Sequence, residues 1–283
     1  MPPRVSSYMS SPVITASKND SLAHIRNLMI RHKIGKVVLL DEEGNVYGII
    51  SKSDFIRILY NRKRYVKPLD NILAFEIATI PVLGIQSNKS IKVAAQAMIK
   101  KNVGSLLVFD EDQKLVGIIT KADLVRAYAE KYSGRYKVGD FMIKEVPTAT
   151  LTHSLYYVID LMNESGLGKV VVVEGRKPVG VITKSDVLFL NIDVAESYRK
   201  VKYVKRPGVT GRGFEGIIRV YTVPVAGDIM TPNPITVHPD EDLALAADIM
   251  VKNRIGTLPV VNNEGELIGL LTKKDVINAL RQV

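Results

Sequence analysis

"GIITKAD" at residues 117–123 is one of four near-copies of a single string, the others being "GIISKSD" at 48–54, "GVITKSD" at 180–186 and "GLLTKKD" at 269–275. Working outward, the flanking residues keep the same register. Leu22, Met29 and Gly35 stand seven and six residues apart, as do Ile91, Met98 and Gly104; Leu155, Met162 and Gly168; and Leu243, Met250 and Gly256. From that glycine to the glycine opening the string the spacing is 13, 13, 12 and 13 residues. Self-similarity at a fixed period identifies an internal repeat, and four copies account for most of the chain.

Each copy has a physical reading. "SLAHIRNLMIRHKIG" places Leu22, Ile25, Leu28 and Met29 on one helical stripe closed by glycine, with Asp20 or Ser21 as its cap. "KVVLLDEEGNVYGII" is an apolar strand, an acidic glycine-containing turn and a second strand, hence a hairpin. "SKSDFIRILY" opens a second helix, and a short extended piece such as "SPVITAS" or "NPITVHP" precedes the first. The unit is β-α-β-β-α and too small to bury a sufficient core alone, so units are expected to pair.

The recurrent S/T-K-x-D also has a structural explanation. A hydroxyl followed three residues later by an acid, ahead of an apolar helix, is a capping box. Ser51, Thr120, Thr183 and Thr272 would cap their helices, with Asp54, Asp123, Asp186 and Asp275 returning the bond. The same atoms suit a nucleotide: a helix N-terminus offers free N–H groups to phosphate, and a carboxylate beside it accepts ribose hydroxyls.

The stretches "IGKVVLLDEEGNVYGIISKSD", "VGSLLVFDEDQKLVGIITKAD", "LGKVVVVEGRKPVGVITKSD" and "IGTLPVVNNEGELIGLLTKKD" resemble the CBS domain, named after cystathionine β-synthase. In length and layout the chain resembles archaeal proteins built only of CBS repeats. The resemblance implies an α/β fold of four β-α-β-β-α repeats paired into two tandem Bateman modules. The expected ranges are 1–67, 68–135 and 136–197 for the first three repeats, 198–223 for an insertion, and 224–283 for the fourth. It implies a non-enzymatic cytoplasmic regulator that holds AMP, ADP or ATP in its clefts, signals to a separate protein partner and forms edge-to-edge homodimers. The matching residues are Ser51/Asp54, Thr120/Asp123, Thr183/Asp186 and Thr272/Asp275. Ile14, Val82, Ala149 and Ile235 would lie against the adenine. Lys36 and Lys169 take a position where AMP-binding members often carry a phosphate-contacting arginine. The residue before it, sometimes basic in such members, is glycine in all four repeats.

Charge suggests a second surface. The chain carries a formal +10, yet without residues 60–68 and 197–214 it holds 29 basic and 29 acidic residues. Arg62, Lys63, Arg64 and Lys67 supply the first excess. The second comes from Arg199, Lys200, Lys202, Lys205, Arg206 and Arg212, with Tyr198 and Tyr203 interleaved. Cations neutralise phosphates and tyrosines stack on unpaired bases, so these segments are candidate rRNA contacts. Some archaeal CBS-only proteins act on ribosomes as dormancy factors, which gives that expectation a form: a ribosome-binding hibernation factor that inhibits translation.

Other chemistries find little support. The chain has no cysteine, which excludes disulfides and thiolate metal sites. His24, His32, His153 and His238 lack metal-ligand spacing, no Walker or Rossmann glycine loop occurs, and no apolar run reaches membrane-spanning length. No metal and no membrane association is expected.

Overall fold

Leu22, Ile25 and Met29 are completely buried, as are Ile91 and Ala94 in the next repeat, so the apolar stripes read along the chain are the faces that pack. The computed structural model describes residues 3–60, 68–189, 201–204, 216–219 and 224–283. In the first repeat β1 (Thr15–Ser17), α1 (Leu22–Arg31), β2 (Lys36–Leu40), β3 (Val46–Ser51) and α2 (Lys52–Tyr60) follow in the expected order, and Ser21 is the cap of α1. β1 lies parallel and β3 antiparallel to β2. The second repeat repeats this with β4 (Gly84–Gln86), α3 (Ile91–Lys100), β5 (Ser105–Phe109), β6 (Leu115–Thr120) and α4 (Lys121–Lys131).

The third comprises β7 (Thr148–Ala149), α5 (Leu155–Glu164), β8 (Lys169–Glu174), β9 (Lys177–Thr183) and α6 (Lys184–Phe189). After it, β10 (Val201–Val204) and β11 (Gly216–Arg219) pair antiparallel. The short helix α7 (Ala226–Ile229) and β12 (Thr231–Pro232) lead into α8 (Leu243–Lys252), β13 (Thr257–Val261), β14 (Leu267–Thr272) and α9 (Lys273–Leu280). In this fourth repeat the first strand shrinks to one parallel bridge, Val237 to Val260.

The repeats exchange their leading segments. In the first pair, Val5 and Ser6 donate backbone N–H bonds to Lys89 and Ser87 of the second repeat, at 2.8 and 3.0 Å, and Ser10 bridges to Ile118. Reciprocally, Ala74 donates to Asp20 at 2.8 Å and Thr79 to Ile49 at 2.9 Å. Val138 and Ile143, ahead of the third repeat, donate to Glu241 and Leu270 of the fourth, both at 2.9 Å. The segment ahead of the fourth lies on the third: Ala226 donates to His153 at 2.7 Å, and β12 pairs with β9.

This exchange explains the division of the chain into two compact units. The first is Met1–Val146 with Arg176–Pro178 and Pro234–Val283, and the second is Pro147–Gly175 with Val179–Asn233. The units cut across repeats because a leading segment belongs structurally to its neighbour. Within the first unit α3 and α4 pack on α8 and α9, and one apolar cluster contains Met98, Val125 and Tyr128 together with Met250, Val276 and Leu280. Burying such side chains stabilises by roughly 1.5–3 kcal/mol each.

The string opens with glycine because the exchanged segment crosses there. A methyl group added at Gly117 would lie 2.6 Å from Met9 Sδ, and one at Gly269 2.7 Å from Met142 Sδ. At Gly48 it would meet Ile80 Cγ2 at 2.9 Å and the backbone oxygen of Thr79 at 3.2 Å, and at Gly180 it would run into Met230. Gly48→Ala is therefore expected to destabilise by about 1–3 kcal/mol. Gly35→Ala, whose new methyl meets only Lys52 side-chain carbons at 3.7 Å or more, should change stability by less than about 0.5 kcal/mol. Urea unfolding of the two variants measures the contrast.

Candidate functional site

Each string ends where a hairpin feeds a helix, and the turn is fixed by its own side chains. Asp54 Oδ2 accepts the backbone N–H of Ser51 at 2.7 Å and its hydroxyl at 2.8 Å. Asp123 does the same for Thr120, at 2.8 Å for both bonds. Asp186 holds Thr183 at 2.6 and 2.8 Å, and Asp275 holds Thr272 at 2.7 Å twice. The hydroxyls also receive a backbone N–H where Ser185 donates to Thr183 and Lys274 to Thr272, both at 3.2 Å. The acid's half of the capping box thus forms in every repeat, and it occupies one oxygen of each carboxylate.

The second oxygen differs between repeats. Asp54 Oδ1 is 3.0 Å from Arg57 Nη2, whereas Asp123 Oδ1 stands 4.0 Å from Arg126 Nη2. Both arginines grip the exchanged segments: Arg57 donates to the carbonyl of Ile77 and Arg126 to that of Tyr8, each at 2.9 Å. These arginines were not singled out from the sequence, although "SDFIR" and "ADLVR" place each three residues after its aspartate, within reach on a helix. Burial pushes the Asp123 carboxyl up, against the bonds from Thr120 and the charges of Arg126 and Lys273, which pull it down.

Lys36 stands directly across the hairpin from Ser51, as Ser105 does from Thr120 and Thr257 from Thr272. Its ammonium does not stay in the first repeat. Lys36 Nζ donates to the carbonyl of Gly104 in the second repeat at 2.9 Å, beside the backbone N–H of Lys121, which donates to the same oxygen at 3.3 Å. Burial pushes the Lys36 ammonium down to about 8; the charges of Lys121 and Lys273 push the same way, and Asp123 opposes them. Lys273 is also lowered, by burial foremost, with Asp123 opposing and Lys52 adding to the shift.

The expected apolar contacts are unequal. Ile14 and Val82 are half-buried, Ile235 is 41 % exposed, and Ala149, at 1 %, is enclosed where β7 pairs with β8. Lys169 begins β8, in the second unit. Of the basic and tyrosine residues assigned to nucleic acid, Arg62, Lys63, Arg64, Lys67, Tyr198, Arg199, Lys200, Lys205, Arg206 and Arg212 lie outside the described residues. Lys202 and Tyr203 fall on the backbone of β10, their side chains undescribed. Among the described residues no group of three or more His, Cys, Asp or Glu side chains could hold a metal ion, and no helix is long and apolar enough to cross a membrane.

A repeated helix-start carboxylate on a β-α-β-β-α unit, four times in one chain, defines a class of protein. The chain belongs to the CBS domain family, whose pattern matches residues 5–61, 74–130, 138–192 and 226–282. It is similar to protein MJ1225 of Methanocaldococcus jannaschii, 26 % identical over 277 residues and 94 % of each chain. The crystal structure of MJ1225, described as a proposed archaeal homologue of g-AMPK, superposes with a TM-score of 0.80 over 98 % of this chain and 99 % of that one. A 33.4 kDa protein in the ribosomal RNA operon of Thermofilum pendens is 27 % identical over 96 % of this chain and 89 % of its own. A conserved protein of Pyrococcus horikoshii shares the fold at 21 % identity, with a TM-score of 0.65 over 98 % of this chain and 99 % of that one.

The lowered lysines make stability depend on pH. In the unfolded chain a lysine stays protonated up to about 10.5, so between about 8 and that value the unfolded state holds more protons than the folded one at Lys36. Stability therefore rises with pH across this window. Lys36→Met removes that contribution. Urea unfolding at pH 7.5 and 9.5 should show a larger gain for the parent chain than for the variant; equal gains would contradict the burial of this charge.

Proposed function

We propose that the protein is a non-enzymatic regulator that binds an adenine nucleotide at its CBS repeats and passes its occupancy to a separate partner. The observation that carries this reading is the Asp123 carboxylate. One of its oxygens is held by the turn at Thr120, while the other lies 4.0 Å from Arg126 and the Lys36 ammonium reaches the neighbouring Gly104 carbonyl. A fixed carboxylate oxygen suits ribose hydroxyls, and an ammonium beside a helix N-terminus suits phosphate. Half-buried Val82, in the segment leading to β4, offers apolar surface for a base. Of the four Ser/Thr–Asp pairs we assign the leading role to Thr120/Asp123, because Asp54 is already engaged by Arg57 at 3.0 Å. Asp186 and Asp275 complete the set of candidate clefts, and Ala149 is withdrawn from base contact by its enclosure.

The exchanged segments supply a route from ligand to surface. Arg126 donates to the Tyr8 carbonyl and lies 4.0 Å from Asp123, so a ribose that takes the carboxylate changes what holds the N-terminal segment. A second reading, contact with rRNA, is favoured by one observation: the basic stretches within 60–68 and 197–214 contain the whole excess of positive charge. In that reading the nucleotide tunes the grip on an acidic surface, as phosphate contacts require no base readout.

Loss of a charged hydrogen bond typically costs about 1.5–3 kcal/mol. Asp123→Ala should thus weaken AMP binding by roughly tenfold or more in calorimetric titration, while neutralising Lys200, Lys202, Lys205 and Arg206 together leaves it unchanged. Unaltered AMP affinity in Asp123→Ala would remove this residue from the site. The four-residue neutralisation should instead weaken binding to ribosomal particles and flatten its salt dependence if the rRNA reading holds.

A further inference from the structure

The first two repeats carry an arginine three residues after the capping aspartate, Arg57 after Asp54 and Arg126 after Asp123, where the third and fourth have Phe189 and Asn278. Both guanidiniums donate from Nη2 to a carbonyl of the segment that crosses in from the neighbouring repeat, that of Ile77 or Tyr8, at 2.9 Å each. Those two residues are equivalent. Each stands two places ahead of the residue that bridges to the hairpin, Thr79 to Ile49 and Ser10 to Ile118. From this shared anchor the arginines part. Arg57 Nη2 reaches Asp54 Oδ1 at 3.0 Å, whereas Arg126 Nη2 stays 4.0 Å from Asp123 Oδ1, beyond hydrogen-bond length. The Asp54 side chain is 6 % exposed and that of Asp123 14 %.

What differs beneath the guanidinium is the side chain of the crossing segment. Arg126 lies over the Tyr8 ring, its Cζ 5.4 Å from the ring centroid, and the ring is itself fixed by its hydroxyl, which donates to Glu130 at 2.8 Å. A cation over an aromatic face is attracted at such a separation. Carbonyl and ring together therefore hold Arg126 on the crossing segment and off the carboxylate. Ile77 is buried as Tyr8 is, but it offers no aromatic face, and the Arg57 guanidinium turns to Asp54 instead. With Ser51 on Oδ2 and Arg57 on Oδ1, Asp54 has both oxygens engaged. A ribose at the first repeat must displace a charge-assisted hydrogen bond that a ribose at the second does not meet.

We propose that Arg57 is a built-in competitor for the ribose position at Asp54, and that the residue beneath the arginine, Ile77 or Tyr8, decides which of the first two repeats takes nucleotide. This deepens the nucleotide reading and rests on it. A ring at this place keeps one carboxylate oxygen open, and an aliphatic side chain closes it. The selector sits on the neighbouring repeat in both cases: Ile77 of the second repeat closes the first, and Tyr8 of the first opens the second. The two repeats are thereby unequal although both keep S/T-K-x-D, and AMP fills the second.

The test is calorimetric titration of the full chain with AMP, for the parent and for Arg57→Gln, Arg57→Gln with Asp54→Ala, Tyr8→Leu, Tyr8→Phe, and Tyr8→Leu with Arg126→Gln. Arg57→Gln is expected to bind one AMP more per chain than the parent, and Asp54→Ala in that background to abolish the added site. Tyr8→Leu lets Arg126 close on Asp123 and should weaken AMP by about tenfold, the weight of one charged hydrogen bond. Tyr8→Phe keeps the ring and should stay within about threefold of the parent. Arg126→Gln should restore the affinity that Tyr8→Leu loses; a loosened segment would not recover on losing a second anchor, so rescue separates competition from lost structure. No added AMP in Arg57→Gln, or a Tyr8→Leu loss that Arg126→Gln leaves in place, overturns the competitor while leaving nucleotide binding standing. An added AMP that Asp54→Ala removes, beside a parent whose AMP affinity Asp123→Ala does not alter, supports the competitor and overturns the assignment of Asp123. No AMP bound by either the parent or Arg57→Gln overturns both.

Discussion

The reciprocal crossing of leading segments over the string glycines is the constraint on which the rest depends. Each segment must pass within van der Waals distance of a neighbouring hairpin to close its backbone hydrogen bonds, and only a residue without Cβ leaves room. At Gly117 the crossing chain is Met9 and Ser10; at Gly48 it is Ile80 with Thr79. The crossing ties each repeat to its partner before any side-chain packing is counted. It also places the arginines of α2 and α4 against a neighbour's carbonyls, at Ile77 and Tyr8. Repeats too small to bury a core singly thereby become parts of units that can.

The site grows from the same geometry. Because the hairpin ends beside the crossing, its last hydroxyl residue leads into a helix whose first N–H is held within its own repeat, Lys52 by the Gly35 carbonyl at 3.2 Å and Lys121 by that of Gly104 at 3.3 Å. Capping consumes one carboxylate oxygen and leaves the other to its surroundings, and those differ: Arg57 is close on Asp54, Arg126 stands off from Asp123. The first two copies of the motif are consequently different sites. Burial then raises Asp123 and lowers Lys36 and Lys273, so the region opposes both kinds of charge in the absence of a partner. Such paired perturbation is typical of sites that bind or react.

Much of this was legible in the sequence because the governing interactions are local. The Leu–Met–Gly spacing fixes a helix, the hairpin follows from the turn at "DEEGN", and Ser/Thr three residues before Asp fixes the cap. The exchange was not legible, since Gly117 needs Met9 and Gly269 needs Met142, partners more than a hundred residues away. Nor was the reach of Lys36 into the second repeat legible, where its long side chain ends on Gly104. Treating the repeats as equivalent put Ala149 beside Ile14, Val82 and Ile235, but its short side chain is closed in where β7 meets β8.

The account's central claim is that the S/T-K-x-D turn is a ligand site as well as a cap. Crystallisation of the chain with AMP tests it most directly, because difference density locates the ligand without assuming which residues bind it. The account predicts ribose hydroxyls on Asp123 Oδ1, phosphate toward the Lys36 ammonium, and the Arg126 guanidinium displaced from the carboxylate. AMP density elsewhere on the chain, with Asp123 and Arg126 unmoved at 4.0 Å, would contradict it and leave these turns as caps alone.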